Sequence, residues 1–70
     1  MKISARNQFK GTIVGIDEGA VNGIVKIDIG AGNIVSATIS MASIRELGLK
    51  VDGEAYAVVK ATSVMVAVDD

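Results

Sequence analysis

Seventy residues, half of them apolar and carrying a net charge of −1, allow one small domain whose own core is marginal. Seven basic against eight acidic residues exclude a general phosphate-backbone binder, and one Phe and one Tyr make a poor stacking platform for single strands. With neither cysteine nor histidine there is no disulfide, no thiolate metal site and none of the commonest zinc ligands. No apolar run approaches the roughly 20 residues of a membrane span, and Met1-Lys2-Ile3 does not open a signal peptide, so a soluble cytoplasmic protein is expected. The apolar half exceeds what so small a domain hides, and the surplus predicts burial between subunits.

In chain order, Ser4 to Gly11 comes first: a hydroxyl, a guanidinium, two amides and an ammonium, with no acid among them. Such a donor-rich stretch suits the lip of an anion site, or else a polar strand edge. A first strand begins near Arg6 and carries Ile13 and, past Gly15, Ile16. Asp17 to Ala20 reads as a turn, with Gly19 able to take positive φ. Val21, Gly23, Val25, Ile27 and Ile29 alternate with Asn22, Ile24, Lys26 and Asp28 as a half-buried second strand. Gly30 to Asn33 closes a hairpin. A third strand follows, Val35, Ala37 and Ile39 on one face and Ser36, Thr38 and Ser40 on the other.

The helix comes next, with Ser40 as N-cap, Ile44 and Leu47 facing inward, and Gly48 at the C′ position. After a turn at Lys50 to Gly53, Glu54–Lys60 and Val64–Val68 read as a fourth and a fifth strand. Ala57-Val58-Val59 and Val64-Met65-Val66 are apolar on both faces, which suits strands covered on the outside by another chain. The order predicts an all-β protein: an OB-like five-stranded Greek-key barrel with one short helix between strands 3 and 4. There are no internal repeats, low-complexity tracts or linkers.

Three places could meet an anion. The helix start Ser40-Met41-Ala42-Ser43 offers hydroxyls and unpaired N–H groups with no acid before Glu46, although Ser40 could merely cap and Ser43 be solvated. Lys60 ends an apolar strand, where it either reaches a ligand or snorkels to water. Arg6 either joins the same site or pairs with a surface carboxylate such as Glu18 or Asp28. No acid pair stands beside a nucleophile, so no catalysis is expected.

Ser4-Ala5-Arg6-Asn7-Gln8-Phe9-Lys10-Gly11 closely resembles the opening of the Mop family, the molybdate- and tungstate-binding molbindins. The likeness continues through Ile39-Ser40-Met41-Ala42-Ser43, Glu46-Leu47-Gly48 and Ala57-Val58-Val59-Lys60-Ala61, nearly the whole chain. It implies a single Mop domain over residues 1–70 that binds the metal as an oxyanion, with no directly coordinated metal, for storage or buffering. It also implies a homo-hexamer built as a trimer of dimers, with the oxyanion held between subunits. Residue by residue, the resemblance implicates Ser4, Ala5 and Arg6 on one side, and Ser40, Ser43, Lys60 and Ala61 on the other. Ala5 and Ala61 could contribute backbone groups alone; some relatives have serine after the lysine, so Ala61 leaves one hydroxyl fewer. The alternatives are a Mop-like regulatory module, disfavoured because the chain opens at its own Met1 without a partner module, and an OB-type nucleic-acid binder, disfavoured by charge and scarce aromatics.

Overall fold

The computed structural model describes all residues, Met1–Asp70. Four strands, β1 (Asn7–Asp17), β2 (Asn22–Asp28), β3 (Ile34–Ser40) and β4 (Glu54–Val59), form one sheet in the order β3-β2-β1-β4. Every neighbouring pair is antiparallel. The helix α1 (Met41–Glu46) lies between β3 and β4, and a short 3₁₀ turn, Ala61–Ser63, follows β4. The protein is all-β with an OB-like order of elements, as expected.

β1 is the spine. Its first half, Asn7 to Thr12, pairs with β4, and its second half, Thr12 to Asp17, pairs with β2. Between the Ile13–Ile27 and Gly15–Lys26 pairs the register shifts by one residue on β1. That bulge turns the strand and explains why its inward side chains are Ile13 and Ile16, three apart rather than two. The sheet curls until β3 and β4 line one groove of about 740 Å³.

The strands form where alternation predicts. Gly23, Val25 and Ile27 of β2 are buried, and Ile13, Met41, Ile44 and Ala57 complete the core with Val25 and Ile27. The Gly30–Asn33 hairpin is a type I′ turn: Ala31 and Gly32 both take positive φ (52° and 77°), and the Asn33 N–H donates to the Gly30 carbonyl at 3.0 Å. Gly19 does not take positive φ; it is needed because a Cβ there would sit 2.3 Å from the Asn22 carbonyl oxygen.

Helix α1 starts and stops as its sequence signals. The Ser40 side chain accepts from the Ser43 N–H, and Gly48 takes φ +63°. The Gly48 N–H donates to the Arg45 carbonyl (3.1 Å) and the Leu49 N–H to the Ile44 carbonyl (3.0 Å), the two bonds of a Schellman end. That ending changes which residues face inward. Leu47 becomes the C-cap and is 68% exposed, while Met41 and Ile44 are buried and Leu49 folds back onto the core.

The fifth strand does not form within the chain. Val64–Val68 leaves the 3₁₀ turn unpaired, and Met65, Val66 and Val68 are each more than 85% exposed. Its apolar pattern was legible; a partner edge is what it lacks.

Gly23 is the tightest point under the helix. A Cβ there would lie 2.7 Å from Ile44 Cδ1 and 2.8 Å from Met41 Sδ, so α1 rests directly on the β2 backbone. Gly23→Ala should therefore destabilise by about 1–3 kcal/mol, the usual penalty for overpacking. Thermal unfolding checks it; an unchanged melting temperature would mean that α1 is not seated on Gly23.

Candidate functional site

The seven residues singled out from sequence fall into two groups at opposite ends of β1. At its start, Arg6 and Lys60 immediately flank the Asn7–Val59 pair, with Ser4 and Ala5 before one and Ala61 after the other. Beyond its far end, Ser40 stands opposite Asn22 at the close of β3, and Ser43 lies one turn into α1. Eleven residues of strand separate the groups, a contour of about 35 Å. Lys60 thus sits with Arg6 and not with the helix start of its own chain.

The Arg6–Lys60 end is cationic and unneutralised. The ion pairs of the structure are Lys10–Glu54 (3.2 Å) and Lys26–Asp17 (3.5 Å), and neither includes Arg6 or Lys60. Pairing of Arg6 with Glu18 or Asp28 does not occur, because both acids belong further along the sheet. Asp28 stands opposite Thr12 and accepts from the Gly30 N–H at 2.8 Å, while Glu18 follows the last residue of β1. Arg6 and Lys60 are exposed. Lys10 carries a pKa raised above its ordinary value by its hydrogen bond to and charge contact with Glu54.

Two features of this end go beyond the sequence reading. The Gln8 side-chain amide donates to the Ala5 carbonyl at 2.7 Å, which holds the bend that presents Ser4 to Arg6. The 3₁₀ turn sets the hydroxyl-bearing Thr62 and Ser63, both exposed, within one turn of Lys60, with the Ser63 N–H on the Lys60 carbonyl at 2.9 Å. The Thr-Ser pair after Ala61 is visible in the sequence, but its place between two expected strands carries no signal of its own.

At the other end the two serines are coupled. The Ser40 hydroxyl oxygen accepts from the Ser43 N–H at 3.0 Å, and its hydroxyl donates to the Ser43 oxygen at 2.9 Å. Ser40 is therefore fully engaged inside the chain, whereas the Ser43 hydroxyl proton is left to donate elsewhere. Both serines are half-buried. The Met41 N–H is occupied by the Val21 carbonyl at 2.8 Å, so Met41 offers no free backbone donor at the helix start. Hydroxyls, an ammonium and a guanidinium suit a ligand that accepts hydrogen bonds and carries negative charge. There is no cluster of acids that could hold a bare metal ion.

The TOBE domain matches residues 3–66 of this chain. A protein of Haemophilus influenzae named as a probable molybdenum-pterin-binding protein is 62% identical over 99% of this chain and 100% of its own length. The chain belongs to the Mop family of TOBE-domain proteins. Among solved Mop structures, MopII from Clostridium pasteurianum superposes with a TM-score of 0.89 at 46% identity, covering 96% of this chain and 100% of its own. ModG, described as a cytoplasmic molybdate-binding protein and solved with molybdate bound, superposes with a TM-score of 0.81 at 51% identity, covering 87% of this chain and 43% of its own.

The serine geometry separates structural from ligand roles. Ser40→Ala should lower stability by about 1 kcal/mol through the lost cap. Ser43→Ala removes no cap acceptor and introduces the better helix former, so the empty protein should melt no lower than the natural one. Calorimetric melting of the two variants is the check; a larger loss for Ser43→Ala would reverse the roles.

Proposed function

We propose that the protein binds molybdate or tungstate between subunits, as an intracellular store or buffer and without catalysis, with residues 1–70 acting as a single Mop domain. The observation that carries the reading is the pair of unneutralised cations, Arg6 and Lys60, set side by side at the end of β1 in a chain whose net charge is −1. A tetrahedral oxyanion carries two negative charges and accepts hydrogen bonds without donating any. Cations with exposed faces neutralise it, and a fixed hydroxyl donor such as Ser43 orients it. The Mop relatives, one of them solved with molybdate bound, support the choice of ligand.

A site that uses both groups draws them from different chains, since one chain holds them at opposite ends of its longest strand. Ser4, Ala5, Arg6, Lys60 and Ala61 then come from one subunit, and Ser40 and Ser43 from another. The surface supports assembly. Only 7 of 70 residues are buried in the single chain, too few to hide its apolar half. A homo-hexamer arranged as a trimer of dimers is the assembly this reading adopts. No helix is long and apolar enough to cross a membrane, and a cytoplasmic setting fits a buffer of this kind.

Lys60→Ala tests the site directly. A charge-assisted hydrogen bond contributes roughly 1.5–3 kcal/mol, so molybdate affinity should fall about ten- to a hundredfold while the fold persists. Lys60→Arg should recover only part of it, because a planar fork does not replace a compact ammonium. Titration calorimetry decides the matter, and coincident curves for Lys60→Ala and the natural protein would leave the lysine a solvated strand end.

A further inference from the structure

The donor-rich opening of the chain also contains groups that work against an anion. A tetrahedral oxyanion only accepts hydrogen bonds, so its lip must present N–H and O–H groups and keep carbonyl oxygens turned away. Ser4, Ala5 and Arg6 lie before the first ladder pair, Asn7–Val59, where no partner strand takes up their carbonyls. A side chain takes up one of them: the Gln8 amide nitrogen donates to the Ala5 carbonyl at 2.7 Å. Gln8 is exposed and stands across from Val58, so the packing of the sheet does not require its side chain to fold back three residues. An exposed glutamine gives up rotamer freedom to make such a bond.

The bond fixes more than a carbonyl. The Ala5–Arg6 peptide is trans, like every peptide of the chain, and its C=O and N–H point in opposite directions. Holding the Ala5 carbonyl on Gln8 therefore holds the Arg6 N–H away from Gln8. That N–H makes no hydrogen bond within the chain, and neither do the N–H groups of Ser4 and Ala5 or the Ser4 hydroxyl. Beside them, the Arg6 and Lys60 side chains are exposed and without a carboxylate partner. We propose that Gln8 is a positioning residue of the oxyanion site, whose amide keeps the Ala5 carbonyl off the ligand and aims the Arg6 N–H at it. Arg6 then offers two kinds of donor, a mobile guanidinium and a fixed backbone N–H. The residue type suits the task. An amide donates without carrying charge, so the clamp neither repels the anion, as an acid would, nor competes with Lys60 for it, as a second lysine would.

The inference rests on the oxyanion reading and adds a residue that does not touch the ligand. Gln8→Met keeps the length of the side chain and removes its donor, while Gln8→Glu keeps the shape but can only accept when ionised. The position is exposed, so both empty variants should melt with the natural protein. Titration calorimetry with molybdate should show affinity lowered about two- to tenfold by Gln8→Met, and further by Gln8→Glu. Amide hydrogen exchange at Arg6 supplies the readout that a merely structural residue would not move. Saturating molybdate should slow that exchange in the natural protein and leave it fast in Gln8→Met. Equal affinities would overturn the proposal alone, and so would an Arg6 N–H protected to the same degree in both saturated proteins. Variants that melt lower yet keep that protection would make Gln8 a structural residue and overturn it too. A natural protein that does not bind molybdate sinks the oxyanion reading together with the clamp.

Discussion

The arrangement depends on one strand holding two partners in succession. β1 pairs with β4 along its first half and with β2 along its second, and Thr12 stands opposite both Glu54 and Asp28 where the halves meet. Such a handover requires backbones to approach closely. Gly11 permits it, because a Cβ there would fall 2.3 Å from the Asp28 carbonyl oxygen. The bulge after Ile13 then swings the second half round, so the sheet curls and its two free edges border one groove. The position of each candidate residue follows: Arg6 and Lys60 at the first end of β1, Ser40 and Ser43 past the last.

This geometry places an unusual demand on so small a protein. A short chain cannot bring all its hydrogen-bond donors to one point when the longest strand lies between them. Splitting the donors between subunits, as proposed, would let each chain keep a simple fold and would tie ligand binding to assembly. The charge distribution suits that division. Acidic residues slightly outnumber basic ones overall, yet the acids nearest the spine are engaged elsewhere: Glu54 with Lys10, Asp17 with Lys26, and Asp28 with the Gly30 N–H. Exposed ion pairs of this sort add little stability. Their consequence is that no carboxylate pairs with Arg6 or Lys60.

Most of the fold was legible because its signals are local. Alternation marked β2 and β3, Ser40 and Gly48 marked the ends of the helix, and Ile13 with Ile16 marked the first strand. Leu47 was misread because periodicity cannot anticipate a Schellman end, which turns the chain before that residue can face inward. Gly19 is able to take positive φ but does not use that freedom; the constraint there is the close Asn22 carbonyl. Val64–Val68 was legible as a strand by composition, but pairing is a property of neighbours, and one chain does not supply them. The candidate residues were found by type; the resemblance implied that Lys60 and Ala61 join Ser40 and Ser43, whereas the strand pairing within one chain sets Lys60 next to Arg6. That Lys60 stands beside Arg6 rather than near Ser40 depends on the register of β1 with β4, which no spacing along the chain reveals.

The central claim is that an oxyanion sits where the cationic end of one chain meets the helix start of another. Anomalous diffraction at the molybdenum edge, on crystals grown with molybdate, tests it most directly. The account predicts an anomalous peak between subunits, with Arg6 and Lys60 of one chain and Ser43 of another in hydrogen-bonding reach of its oxygens. A peak enclosed by a single chain, or one remote from all three side chains, would contradict it.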